Sequence, residues 1–150
     1  PLLVGGSGPR RTLPLVARYA DIWNSLRSSP GAFREKSALL DDLLRAVGRA
    51  PGTVKRTIFT GVFYAHDAAD LERVLLRLRD TAPDGAGKAT AEVLDAQRAR
   101  NTIIGTPEMI LAQLAAFRDA GVEELMLRWT EMDDLPRLRA FSEVVAGIGS

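Results

Sequence analysis

Residues 1–24 of the chain, PLLVGGSGPRRTLPLVARYADIWN, decide its fold class. The short apolar run at 2–4 predicts a strand, and apolar residues at helical spacing predict a helix over 9–19. A second strand is predicted at 21–24. A strand, a helix and a strand in this order join into a parallel βαβ unit, so this stretch indicates an α/β protein.

The same alternation continues through the rest of the 150 residues. Further strands are predicted at 57–65 and 124–129, and helices at 30–48, 67–78, 89–100, 107–121 and near 135–148. Ser29 and Asp67 are predicted to cap two of these helices. The buried helix faces are predicted to carry Leu13, Val16, Ala17 and Ala20; Leu39, Leu40, Leu43, Leu44 and Val47; Leu71, Val74, Leu75 and Leu78; Ile110, Leu111, Leu114 and Phe117; and Leu138, Phe141, Val144, Val145 and Ile148.

Four strands separated by helices predict parallel pairing, and two architectures remain open. The units form either a small open sheet covered on both faces or one half of an eight-stranded barrel. Residues 82–101, which contain the helix-breaking run APDGAG, are predicted to be an insertion in a single domain of residues 1–150. In both architectures the stretch after Val4 lies on the edge where ligands bind.

Composition excludes several classes of function. The 20 basic and 19 acidic residues give a net charge of +1, which predicts no general attraction to nucleic acid or membrane. No cysteine is present, so there is neither a disulfide framework nor a thiolate, and a cytoplasmic location is expected. No histidine and acid cluster has metal-ligand spacing, so no metal site is expected.

The segment GGSGPRRT at 5–12 is the strongest candidate for a ligand site. Glycines let the backbone approach a ligand closely, and the N-terminus of the following helix carries a partial positive charge. Arg10 and Arg11 add full positive charge where that partial charge alone favours acids, which indicates a bound anion such as a phosphate. The alternative is a plain tight turn with arginines that are solvated or paired to a carboxylate.

Three segments together resemble one family: the GGSGPRRTL turn, the ARYADIWN strand, and GTPE leading into AGVEELMLR. In this order they look like the C-terminal half of the bacterial luciferase-like monooxygenases, flavin- or deazaflavin-dependent oxidoreductases built on a TIM barrel. The resemblance implies an α/β half-barrel of parallel (β/α) units, corresponding to barrel strands five to eight.

The resemblance also implies a cofactor and a site. It implies that the complete protein binds FMN or the deazaflavin coenzyme F420 and acts on a small organic substrate. The cofactor's phosphate is expected at Gly5, Gly6, Ser7 and Gly8, with Arg10 and Arg11 as accessory charge. No catalytic residue is assigned, because the redox chemistry in such enzymes belongs to the cofactor.

Other residues are candidates for the edge of the cofactor pocket. Trp23 and Asn24 end the second predicted strand, and Trp23 either lines a ring pocket or packs in the core. Arg128 ends the last strand, where it either faces an anionic cofactor tail or pairs with Glu131, Asp133 or Asp134. His66, the one histidine, is expected to be a surface or capping residue.

Two classes of function remain open. The chain is either the cofactor-phosphate half of an oxidoreductase, or a non-catalytic half-barrel that serves in binding or assembly or is an inactive fragment. The start at Pro1 suggests a processed or incomplete product. Because a half-barrel leaves two strand edges open, association with a missing N-terminal half or with a second copy is expected.

Overall fold

Strands and helices alternate along most of the computed structural model, which describes residues 1–83 and 85–147. The elements are β1 (Leu3–Gly5), α1 (Thr12–Tyr19), β2 (Ile22–Leu26), α2 (Pro30–Ala46), a 3-10 turn (Pro51–Thr53), β3 (Lys55–Tyr64), α3 (Ala68–Thr81), α4 (Thr90–Ala99), β4 (Ile103–Gly105), α5 (Pro107–Asp119), β5 (Glu124–Arg128) and α6 (Leu135–Ala146). The predicted α/β class is confirmed.

The chain divides into two compact units, of which the first comprises Pro1–Thr60 and Ala116–Leu127. In it β1 pairs with β2, and β2 with the first half of β3, all in parallel. β5 also pairs with β3. Helices α1 and α2 pack against each other. The buried apolar residues of this unit are Leu13, Val16, Ala17, Ala20, Trp23, Phe33, Leu40, Leu44, Val54, Ile58, Phe117, Ala120 and Val122.

The second unit comprises Gly61–Ala115 and Arg128–Ser150. The second half of β3 pairs in parallel with β4, with Val62 opposite Ile103 and Tyr64 opposite Gly105. One core cluster joins α3, α4, β4 and the residue that follows β3, and its members are Ala65, Leu71, Val74, Leu75, Val93 and Ile104. The strand β4 was not predicted, because three residues are too few to show a period and the helix signal of GTPE follows at once.

Helix α1 begins later than the sequence predicts. It starts at Thr12 rather than at Pro9, and Arg11 is its N-cap residue. Arg10 and Arg11 therefore precede the helix and do not lie in its first turn. Pro9, Arg10 and Arg11 form a turn in which the N–H of Thr12 donates to the carbonyl of Gly8 at 3.0 Å.

The predicted helix caps are confirmed, whereas some of the predicted buried faces are wrong at their margins. Ser29 Oγ accepts from Ala32 N at 3.2 Å, and Asp67 Oδ1 accepts from Asp70 N at 2.8 Å. Four leucine and valine side chains predicted to be buried are instead more than a third exposed: Leu39, Val47, Leu111 and Leu138. Ile148 lies outside the described residues.

A candidate anion-binding loop

Residues 5–11, here called the anion loop, run from the last residue of β1 to the N-cap residue of α1 in the first unit. The loop is tied to the sheet at its start, where Gly6 N donates to Asn24 O at 3.0 Å. It is tied to the helix at its end, where the N–H groups of Thr12 and Leu13 both donate to Gly8 O at 3.0 Å. The predicted loop residues thus occupy one short, fixed turn between two elements.

Two of the loop glycines lie where a side chain would be strained or crowded. Gly6 has a φ of +121°, a conformation that residues with a Cβ rarely adopt. Gly8 has a different reason, since a Cβ there would lie 3.1 Å from Thr12 Oγ1. The backbone of the loop is therefore held close to the Thr12 side chain at the start of α1.

The anion loop presents backbone donors that have no partner. The N–H groups of Ser7, Gly8, Arg10 and Arg11 donate to no acceptor among the residues that the structure describes. Free N–H groups ahead of a helix, where the partial positive charge of the helix lies, favour a bound anion. The arrangement has the donor set of an oxyanion or phosphate site.

Arg10 and Arg11 supply positive charge that no carboxylate neutralises in the described chain. Both side chains are exposed, and neither lies within salt-bridge distance of a carboxylate in residues 1–83 and 85–147. The first turn of α1 carries no acidic residue. Of the two predicted alternatives for Arg10 and Arg11, pairing to a neighbouring carboxylate is therefore wrong for the described chain.

Trp23 lies in the core and donates a hydrogen bond to the backbone of the anion loop. It is fully buried, and its ring stacks on Phe33 with 5.1 Å between centroids. Its Nε1 donates to Gly6 O at 2.7 Å. A trans peptide points its C=O and N–H in opposite directions, so the same bond turns the N–H of Ser7 away from the indole. Packing, not a ring pocket, is the role of Trp23.

Asn24 lies in the middle of β2 rather than at its end, and its side chain is 8% exposed. Its Oδ1 accepts from Thr57 Oγ1 at 3.1 Å, and its Nδ2 donates to Met126 Sδ at 3.5 Å. Both ends of the amide are therefore engaged with neighbouring strands. Because its backbone carbonyl also accepts from Gly6 N, Asn24 supports the loop from the sheet.

A chain of side-chain hydrogen bonds leads away from the loop, and it was not predicted from the sequence. Ser7 Oγ lies 2.9 Å from Ser25 Oγ, which lies 2.7 Å from Ser28 Oγ. Lys36 Nζ donates to Ser28 Oγ at 3.4 Å. The signal for these residues was the polar run that follows the second strand, in which serines stand where a buried strand ordinarily carries apolar residues.

Arg128 belongs to the second unit and ends β5 with an exposed side chain. In the described chain it makes no salt bridge with Glu131, Asp133 or Asp134, which were its predicted alternatives. Glu131 and Asp134 pair instead with Arg137, whose Nε lies 3.5 Å and 3.0 Å from their carboxylates. The candidate role of Arg128 at a cofactor pocket stays a prediction.

The strongest electrostatic cluster of the second unit is structural. Asp70 is 3% exposed, and its carboxylate accepts from Arg137 at 2.6 and 3.2 Å and from the backbone N–H of His66 at 3.0 Å. Hydrogen bonds from Arg137 hold the pKa of Asp70 far below its ordinary value, and the same bonds raise the pKa of Arg137. The pair fastens α6 to α3.

Metal binding and membrane spanning find no support in the residues that the structure describes. Those residues contain no cluster of three or more His, Cys, Asp or Glu side chains able to hold a metal ion. None of their helices is both long enough and apolar enough to cross a bilayer.

Comparison with known proteins gives a family model and a group of solved structures. The model, described as luciferase-like monooxygenase, matches residues 1–124. A search of curated protein sequences found no match. The structures include a riboflavin lyase solved with modified FMN and riboflavin, which is 16% identical with a TM-score of 0.71 over 98% of this chain and 42% of that chain.

Two further structures are also similar to this chain. The EDTA monooxygenase from Chelativorans sp. BNC1 is 14% identical with a TM-score of 0.70, over 97% of this chain and 43% of that one. The coenzyme F420-dependent tetrahydromethanopterin reductase from Methanopyrus kandleri is 16% identical with a TM-score of 0.59, over 85% and 44%. The chain thus spans less than half the length of the structures it matches, and at such identities the likeness is one of fold.

Proposed function

Because the chain belongs to the luciferase-like monooxygenase family, we propose that it forms the C-terminal part of a flavin- or deazaflavin-dependent oxidoreductase and holds the cofactor's phosphate in the anion loop. The observation that carries the proposal is the set of backbone N–H groups at Ser7, Gly8, Arg10 and Arg11 without an acceptor in the described chain. FMN and coenzyme F420 both carry a phosphate that such donors fit.

The residues of the loop fit a phosphate in charge as well as in hydrogen bonding. Arg10 and Arg11 have no carboxylate partner in the described chain, so their charge is free to offset that of a phosphate. The Thr12 hydroxyl lies beside Gly8, where a Cβ would be 3.1 Å from it. A bulkier residue at Gly8 would therefore fill the space between the backbone and the helix start.

The chain's own contribution to the reaction is to bind and orient. When bound, the cofactor would supply the redox chemistry, which is electron transfer to oxygen for a flavin or hydride transfer for a deazaflavin. The anion loop would hold the cofactor's phosphate, and the bond from Trp23 to Gly6 keeps the Ser7 N–H aimed away from the core. The proposed substrate is a small organic molecule.

A second candidate, an assembly role, is favoured by the exposed edge of β1. Among the described residues β1 pairs with β2 alone, and Leu2 and Leu3 are 50% and 41% exposed. Open strand edges with apolar side chains pair readily with another chain. We propose that a further set of strands, from an N-terminal half or from a second copy, covers this edge in the complete protein. Size-exclusion chromatography with light scattering tests this, and a stable, non-aggregating monomer at micromolar concentration that lacks an N-terminal half would contradict it.

The phosphate proposal is tested by comparing cofactors with their phosphate-free forms. Fluorescence titration of the full-length protein with FMN and riboflavin, and with coenzyme F420 and the corresponding deazaflavin alcohol, gives a preference ratio for each pair. We expect the phosphate-bearing form of one pair to bind at least tenfold more tightly, the effect of two or more hydrogen bonds to a charged group. Equal binding of both forms, or no binding of either pair, would contradict the proposal.

A further inference from the structure

We propose that Lys36 is a positioning residue for the anion loop, which it reaches through the hydroxyl groups of Ser28 and Ser25. In this arrangement every proton along the chain of hydroxyls points from Lys36 toward Ser7, so the Ser7 hydroxyl is set as a donor to a bound phosphate. The inference rests on the proposed phosphate function of the loop and assigns the origin of one of its donors.

The chain of hydrogen bonds is continuous, and the two hydroxyl groups in its middle are buried. The successive distances are 3.4 Å from Lys36 Nζ to Ser28 Oγ, 2.7 Å from there to Ser25 Oγ, and 2.9 Å from there to Ser7 Oγ. Ser25 is 0% exposed and Ser28 is 5% exposed. Water therefore has little access to these two hydroxyls, and their protons must be placed on protein atoms.

Lys36 determines the direction in which the three hydroxyl groups donate their hydrogen bonds. An ammonium has three donors and no acceptor, so Ser28 Oγ is the acceptor in its bond with Lys36. In the described chain the remaining partner of Ser28 Oγ is Ser25 Oγ, so the proton of Ser28 has one acceptor available to it. Ser28 then donates to Ser25, and by the same reasoning Ser25 donates to Ser7.

The opposite direction leaves a buried proton without an acceptor. If Ser7 donated to Ser25 and Ser25 to Ser28, Ser28 Oγ would accept two bonds and its own proton would have no acceptor in the described chain. An unsatisfied buried donor costs about 1 to 3 kcal/mol. The direction away from Lys36 satisfies both buried hydroxyls and is therefore the favoured one.

The consequence falls on the anion loop. Ser7 Oγ accepts from Ser25, and its own proton has no acceptor among the described residues. Ser7 is half-buried in the loop whose N–H groups at Ser7 and Gly8 are also free. The hydroxyl thus adds a donor to the same set, while a hydroxyl turned the other way would present lone pairs that repel an anion.

The test measures preference for the phosphate rather than activity. We define the preference ratio as the dissociation constant of riboflavin divided by that of FMN, or the equivalent ratio for the deazaflavin pair if the protein binds a deazaflavin. This ratio is measured in the full-length protein for wild type, Lys36→Met, Lys36→Arg and Ser28→Ala. The matched control is Lys55→Met, which removes the same charge from the first unit. Lys55 pairs with Glu124 and takes no part in the chain of hydroxyl hydrogen bonds. Thermal unfolding of each variant reports on folding separately.

We expect Lys36→Met and Ser28→Ala to lower the preference ratio roughly three- to tenfold, the effect of one hydrogen bond, with Lys36→Arg and Lys55→Met near wild type. A double variant with Ser7→Ala separates the proposed relay from a direct charge effect. Because Lys36 acts through Ser7, Lys36→Met should cause no further loss when Ser7→Ala is already present.

The outcomes of this experiment distinguish the inference from the function on which it rests. A wild type without phosphate preference overturns both. A wild type with preference that Lys36→Met leaves unchanged, or that Lys55→Met lowers equally, overturns the relay alone. Additive losses in the double variant also overturn the relay, since they mean that Lys36 acts on the phosphate without Ser7.

Discussion

The indole Nε1 of Trp23 donates to the backbone carbonyl of Gly6 over 2.7 Å, which joins the core of the first unit directly to the anion loop. The indole is held from the other side by Phe33, against which it stacks. A fully buried aromatic residue thereby holds the backbone of a surface loop in place. Disturbing the bond should loosen the loop while the core stays packed.

Trp23→Phe tests this bond, because it removes the Nε1 donor and keeps an aromatic ring against Phe33. We expect the free energy of unfolding to fall by about 1 to 3 kcal/mol, from one lost hydrogen bond and a smaller ring in the core. We also expect a severalfold weaker preference for FMN over riboflavin, since the Gly6 carbonyl is no longer held. Denaturant unfolding and cofactor titration measure the two effects.

The control for this variant is Phe33→Leu, which disturbs the stack and leaves the Trp23 to Gly6 bond in place. It should lower stability by a similar amount without changing the preference ratio. If Phe33→Leu weakens phosphate preference as much as Trp23→Phe does, general loss of stability explains the effect and the bond has no special role.

Gly6→Ala and Gly5→Ala form a matched pair in neighbouring positions. At Gly6 the φ of +121° is strained for alanine, and the added Cβ would lie 3.2 Å from Thr12 Cγ2. At Gly5 an added Cβ meets nothing within 4 Å. We expect Gly6→Ala to lower the free energy of unfolding by about 1 to 3 kcal/mol and Gly5→Ala to leave it nearly unchanged. Equal melting temperatures for the two variants would contradict this reading of the loop.

Arg10→Gln and Arg11→Gln test the charge of the loop. Each removes one cation without a carboxylate partner in the described chain, so each should weaken binding of the phosphate-bearing cofactor a fewfold. The loss should shrink as salt rises, because exposed charges are screened. Arg18→Gln, at the opposite end of α1, is the control. Titrations at about 0.05 and 0.5 M salt measure the effect, and a loss as large in Arg18→Gln would assign it to net charge.

The order of elements was predictable from the sequence because each has a strong local signal. The helical spacing of apolar residues and the caps Ser29 and Asp67 predicted the helix ends to within a few residues of their positions in the structure. The start of α1 was wrong, since Pro9 favours a first helical turn by its φ alone and also fits an ordinary turn. The strand β4 was missed for want of length.

The turn between β1 and α1 was predictable from its glycines, whereas the side chains that support it were not. The anion site inferred from those glycines and from Arg10 and Arg11 stays a prediction. The hydrogen bonds from Trp23, Ser25 and Lys36 depend on which side chains the fold brings together across separate elements. No local pattern carries that information, and the pairing of Asp70 with Arg137 was hidden for the same reason.

The pairing of Asp70 with Arg137 predicts how stability depends on pH. Its hydrogen bonds lower the folded-state pKa of Asp70 below the ordinary value of 3.8. The carboxylate therefore stabilises the fold fully at pH values well above 3.8, and this contribution is lost progressively as the pH falls below about 5. Asp134, whose pKa is also lowered by its bonds to Arg137, acts in the same direction.

Asp70→Asn should remove most of this dependence. Arg137, whose side chain is 11% exposed, would lose its buried counter-charge, so we expect the free energy of unfolding at pH 7 to fall by about 3 to 5 kcal/mol. The loss of stability between about pH 5 and pH 3 should be shallower than in wild type, with a remainder from Asp134. Asp80→Asn, which removes an exposed acid paired with Arg79, is the control and should change stability by less than about 1 kcal/mol. Urea unfolding across this pH range measures all three proteins, and parallel pH profiles for wild type and Asp70→Asn would show that the buried pair does not set the acid limit of stability.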